Sequence, residues 1–178
     1  MKRLSLLRHA KSSWDDPVER DYDRPLNGRG RRAARRMGEF LRDEGFAFDA
    51  ILASPALRIR QTLEGVEEGL GRKLDVAWDK RIYMASGATL LGVVQEVADN
   101  VGHLLLVGHN PGLEDLCLDA SAGHGSEHRD AAEVKYPTAS FATLRFPAER
   151  WADVGEGMAD VVTFVRPRDL DATLGPDD

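Results

Sequence analysis

The sequence predicts an α/β fold built in three layers, with a largely parallel sheet flanked by helices on both faces. Short apolar runs ended by polar residues recur at residues 3–7, 50–53 and 103–107, as buried strands require. Between them, apolar residues repeat at helical spacing, and two more strand-like runs close the chain at residues 138–146 and 158–165. Strands alternating with helices imply right-handed crossovers and hence parallel neighbours covered on both sides.

The first run stops at Arg8. Residues 11–26 carry Pro17 and Pro25 among several aspartates, sustain neither period, and read as a long loop of the kind that often serves function. Residues 27–44 place Ala33, Met37, Phe40 and Leu41 on one helical stripe, with Gly45 where a C-terminal cap belongs. After the strand at 50–53, Ser54 and Pro55 read as N-cap and first residue of a helix continued by Ile59, Leu63, Val66 and Leu70. A short extended piece at 74–78 precedes a second loop, and Leu90, Val93, Val94 and Val97 mark a helix within 89–100. Residues 103–107 are the clearest strand, and 111–120 read as a short helix. Residues 121–133, rich in Gly, Ser, His and acids, read as a surface loop, and the acidic segment from Pro167 is expected to fray. One domain is expected over 1–166, with an acidic tail over 167–178.

A chain of 178 residues, 42% hydrophobic, has enough material for one sizeable core but not comfortably for two. Its net charge of −6 disfavours nucleic acid and anionic membranes as partners, so any anion site must be local. Apolar residues 4–7 are cut short by Arg8 and no run reaches membrane-spanning length, which makes the cytoplasm the expected location. The single cysteine, Cys117, excludes an internal disulfide framework and reads as a small buried apolar residue. A monomer is favoured.

Three polar segments follow predicted strands: Arg8-His9, the Ser54–Arg58 stretch, and Gly108-His109-Asn110-Pro111. The carboxyl ends of parallel strands form the crevice in which ligands bind, so these segments are expected to converge. Two histidines and two arginines in one crevice suit a tetrahedral dianion, because guanidinium binds phosphate oxygens in pairs and imidazole can attack phosphorus or move protons near neutral pH. No metal or other cofactor is required. His103, His124, His128 and Cys117 lack the spacing of a zinc quartet. Arg29, Arg31, Arg32, Arg35 and Arg36 read as a solvated helix face that at most steers anions. Trp14 either packs the first loop or borders the pocket mouth.

Residues 7–14 (LRHAKSSW), 23–30 (DRPLNGRG), 54–62 (SPALRIRQT) and 108–112 (GHNPG), in this order, resemble the histidine phosphatase superfamily, and within it the phosphohistidine phosphatase, SixA-like branch, whose fold is phosphoglycerate mutase-like. The resemblance spans residue 1 to about 165. It implies a covalent mechanism in which His9 attacks phosphorus and becomes phosphohistidine, while Arg8, Arg58 and His109 grip the non-bridging oxygens. Ser12, Asn110, Arg60 and Thr138 are the candidate substrate-binding residues around them. Arg60 competes with Arg58, which the Ser-Pro-x-x-Arg pattern favours.

Ester-cleaving members of the superfamily generally carry a carboxylic acid near the stretch equivalent to residues 81–86, and this sequence has none there. Asp15, Asp16, Asp21 and Asp79 remain possible donors. An imidazole leaving group needs less protonation help than an alkoxide, so the expected substrate is phosphohistidine in proteins, such as phosphotransfer domains of signalling proteins. The alternatives are a phosphatase or mutase for small phosphorylated metabolites and a non-catalytic phosphoryl-binding module.

Overall fold

The computed structural model describes residues 1–176. Its centre is a six-stranded sheet of β1 (Lys2–Arg8), β2 (Ala50–Ala53), β3 (Ala77–Trp78), β4 (His103–Gly108), β5 (Phe141–Phe146) and β6 (Asp160–Val165), in the order β3-β2-β4-β1-β5-β6. Pairings among β3, β2, β4 and β1 are parallel, and β5 runs antiparallel to both β1 and β6. The largely parallel α/β sheet is therefore observed, with one reversed strand.

Alternation along β4 shows why both faces are covered. Leu104 and Leu106 join Leu4, Leu6, Ala142 and Leu144 in a core on one face, completed by α3 (Gly87–Gln95), α4 (Gly112–Ala120) and Trp151. Leu105 and Val107 join Leu7, Ile51, Ala53 and Phe141 on the other face, beneath α1 (Gly28–Asp43) and α2 (Leu57–Leu70). A buried parallel strand needs apolar side chains in both directions, which explains the unbroken LLLV run.

Helix α1 starts and stops as its sequence predicts. Asn27 accepts a hydrogen bond from the Gly30 amide, and Gly45 takes φ 72° just past the end. Helices α1 and α2 then pack at backbone distance. A methyl group on Gly38 would strike the Val66 carbonyl oxygen, and one on Gly69 that of Arg35. Gly69→Ala is therefore expected to cost about 1–3 kcal/mol through overpacking, read as a lower urea midpoint with an unchanged slope.

Four expectations need correction. Ser54 and Pro55 do not open α2, which begins at Leu57 with Ala56 as its N-cap. The third strand is only two residues long. Residues 127–134 are not loop but helix α5 (Glu127–Val134), capped by the Ser126 hydroxyl and held by buried Ala132 and by Arg129 on the Ser121 and Leu118 carbonyls. Its weak apolar pattern hid it, because tertiary contacts supply its stability. The segment after Pro167 is also ordered, as α6 (Pro167–Leu170) and a 3-10 turn at Ala172–Leu174. Buried Leu174 packs with Ala10, Leu26, Ala33, Ala34 and Ala139, and Arg29 donates to its carbonyl. Residues 177 and 178 of the expected acidic tail lie outside the described residues. No helix among the described residues is long and apolar enough to cross a membrane.

Candidate active site

Strand register brings the three polar segments together. Arg8 pairs with Gly108 and Ala53 with Val107, so the ends of β1, β4 and β2 lie side by side. The His9 amide then donates to the Gly108 carbonyl (3.1 Å) and the Ser54 amide to that of Val107 (3.1 Å). His9, His109 and Ser54 thus emerge from adjacent strands at one edge of the sheet, as parallel topology requires.

The imidazoles of His9 and His109 lie 5.4 Å apart between centroids, tilted by 55°. His9 is 7% exposed, and its Nδ1 is 2.8 Å from the Ala10 carbonyl. A carbonyl can only accept, so Nδ1 carries the proton and the lone pair resides on Nε2. His109 has the opposite tautomer: Nδ1 accepts from Arg58 Nη2 (3.3 Å) and Nε2–H donates to Ser54 Oγ (2.8 Å). Burial lowers the pKa of His9 to about 3, with His109, Arg8 and Arg58 contributing and the Ala10 carbonyl opposing. Burial followed by Arg58 lowers His109 to about 3 as well. Both rings are therefore neutral at pH 7, and the Nε2 lone pair of His9 is available for attack.

Guanidinium groups surround the rings. Arg58 is 1% exposed and donates through Nη1 to the Asp21 carbonyl (2.9 Å) and through Nη2 to Asp21 Oδ2 (2.9 Å). Arg8 donates to the Tyr136 carbonyl (2.9 Å). Arg24 donates to Ser12 Oγ and to Asp21 Oδ1 (3.0 Å), and its guanidinium stacks 3.7 Å from the centroid of the exposed Trp14 ring. Neither Arg24 nor Ser54 was singled out in the sequence as a site residue by itself. Arg24 follows Asp23 in the DRPLN stretch, and that stretch was the available signal.

Other candidates are distributed unequally. Asn110 donates to the same Tyr136 carbonyl as Arg8 (3.1 Å), which ties it to the cup. Ser12 is buried at the Arg24 contact, whereas Thr138 lines a small cavity with Lys11, Pro137 and Leu174. Arg60 is not brought to the histidines: its Nε donates to the Pro55 carbonyl and its guanidinium covers the Trp78 ring at 4.4 Å. Two positions along α2 separate it from Arg58 by more than half a turn. Only two non-glycine residues among those described have positive φ, and both flank the site. Met84 (φ 49°) places its sulfur 3.5 Å from Arg58 Nη2, and Ala139 (φ 59°) donates its amide to the His9 carbonyl.

The possible acids are also placed. Partial burial alone would raise the Asp21 carboxyl, but hydrogen bonds from Tyr83 and Arg24 and the charge of Arg58 outweigh it and bring its pKa to about 2. Asp79 is lowered by hydrogen bonds from Arg81. Asp15 and Asp16 are exposed on the first loop. Among the described residues, no group of three or more His, Cys, Asp or Glu could hold a metal ion. His124 instead contacts Asp160 and the Gly157 carbonyl, and buried His103 pairs with Ser5 Oγ at 2.7 Å.

Burial lowers His103 to about 4, so three histidines are held neutral by the fold. The unfolded chain takes up protons at these groups below pH 6.5 while the folded chain does not, so their stabilising balance is intact above 6.5 and lost on acidification. Each is expected to remove up to about 1.4 kcal/mol per pH unit across that window. Urea midpoints measured at pH 7.5, 6 and 5 on the order of hours after transfer check this, and a flat profile contradicts it.

A cup of guanidinium groups around two neutral imidazoles, at the strand ends of a doubly covered α/β sheet, is suited to a phosphoryl group. The chain belongs to the histidine phosphatase superfamily, whose branch 1 profile matches residues 4–83. An uncharacterized protein of Mycobacterium tuberculosis strain H37Rv is 39% identical over 164 residues, spanning 91% of this chain and 100% of the relative. A structure provisionally assigned to phosphohistidine phosphatase SixA of Nakamurella multipartitia is 29% identical, with a TM-score of 0.78 over 93% of this chain and 96% of that one. A structure of the protein histidine phosphatase SixA complexed with tungstate shares the fold at 20% identity, with a TM-score of 0.76 over 95% of this chain and 99% of that one.

Proposed function

We propose that this chain hydrolyses phosphohistidine in proteins, using His9 as the nucleophile and requiring neither metal nor other cofactor. The observation that carries this reading is the pair of neutral imidazoles set 5.4 Å apart against Arg8 and Arg58, with Asp21, the carboxyl group bonded to Arg58, held ionised. In the first step His9 Nε2 forms a bond to phosphorus as the bond to the substrate nitrogen breaks. The departing imidazole keeps the electron pair and takes its proton from solvent. Water then attacks phosphohistidine-9, releasing inorganic phosphate and restoring the ring. Arg8, Arg58 and His109 hold the phosphoryl oxygens, with Ser12 and Asn110 supporting the cup.

A nitrogen leaving group is favoured because no carboxyl group stands at residues 81–86, and Asp21, the carboxyl group bonded to Arg58, is held ionised. The lone cysteine is buried, and a reducing cytoplasm is the proposed location.

Rates measured side by side on a phosphohistidine protein and on a panel of phosphoesters test the substrate class. The N–P substrate is expected to turn over at least about 100-fold faster, the factor that a missing general acid withholds from an alkoxide. Faster ester cleavage identifies a metabolite phosphatase instead. An acid-labile, base-stable adduct on His9 is expected during turnover, and a non-catalytic binder never acquires one.

A further inference from the structure

Arg58 is nine-tenths buried and more, yet a guanidinium on a flexible stem has several orientations unless something holds it. Here both terminal nitrogens go to Asp21, one to its carbonyl and one to its carboxylate. The same Oδ2 accepts the Tyr83 hydroxyl at 2.8 Å, and Oδ1 accepts Arg24. The Tyr83 ring is itself fixed, edge-on to His109 at 5.4 Å and to Tyr22 at 5.3 Å. We propose that Asp21 and Tyr83 are positioning residues, a brace that orients Arg58 and offsets part of its positive charge; this rests on the phosphatase reading above.

Two further features fit. Arg58 still has donors to spare: a buried Nε–H with no hydrogen-bond partner among the described residues, and a second N–H on Nη1, whose other N–H goes to the Asp21 carbonyl. The guanidiniums of Arg58, Arg8 and Arg24 all act on the neutral His109, and the Asp21 carboxylate opposes them. A carboxylate in a phosphate site looks counterproductive, since it repels the ligand. Without it, however, the buried Arg58 cation loses the partner that orients it.

Calorimetric binding of tungstate by the full chain and its variants tests the brace, alongside kcat and KM on a phosphohistidine protein. Asp21→Asn is expected to weaken tungstate binding roughly tenfold or more, and Tyr83→Phe severalfold, as losses of charge-assisted hydrogen bonds. Asp21→Glu restores part of the loss, which a role confined to folding would not predict. Asp23→Asn removes the same charge from the same turn but touches only Arg20, and is expected to stay within about twofold. Tighter binding by Asp21→Asn makes Asp21 a competitor for the cup and overturns the proposal. So does binding equal to that of Asp23→Asn, with the phosphatase reading left standing. A parent chain that binds no tungstate overturns both. If Asp21→Asn fails to fold, Tyr83→Phe, which keeps the ring, decides alone.

Discussion

Replacing His9 with alanine is expected to abolish turnover, lowering kcat on the order of 10⁴-fold or more, because no other group described in the cup can form the covalent bond to phosphorus. His109 cannot substitute. Its Nδ1 lone pair faces Arg58 and its Nε2 carries a proton directed at Ser54. The change should leave the fold intact, since the His9 ring hydrogen-bonds only to the carbonyl of the next residue among the described residues, and stands at the end of a strand secured by its neighbours. Phosphate release and melting temperature measured on the same purified preparation separate the two effects. Wild-type release by a folded His9→Ala protein would sink the mechanism.

Arg58→Ala should have the next largest effect, a fall in kcat/KM of about 10²–10³-fold, the size associated with removing one preorganised donor from a developing negative charge. The side chain also contributes structure. It joins the first loop to the β4 end through Asp21 and His109, and its removal leaves Asp21 with only Arg24 and Tyr83. Because that carboxylate is 43% exposed, water can hydrate it, so the stability cost should stay on the order of 1–2 kcal/mol rather than reach the value for a fully buried orphan charge. Arg58→Lys should recover stability but little activity. A single ammonium cannot reach the Asp21 carbonyl, its carboxylate and His109 from one position. Recovery of wild-type kcat/KM by lysine would show that charge alone matters there.

Local pattern decided much of this protein. The apolar run before His109 had to be a doubly covered strand, and the stripe through Ala33, Met37 and Leu41, closed by Asn27 and Gly45, had to be a helix. Once strands and helices alternate, the polar residues after each strand lie at one edge of the sheet, which is why His9, Arg58 and His109 could be grouped without coordinates. What local pattern could not decide was partnership across the chain. Helix α5 escaped because its stability comes from Arg129 and Ala132 meeting other elements rather than from its own periodicity, and Leu174 is held in place by alanines distant in sequence. Asp21 and Arg24 belong to a loop with no period at all. Their place in the cup depends on where that loop crosses the end of α2, and hydrogen bonds between residues 37 positions apart leave no trace in the spacing of either one. Backbone preferences act over a few residues, so they specify elements, whereas charge pairing in a buried site is settled only when distant segments fold together.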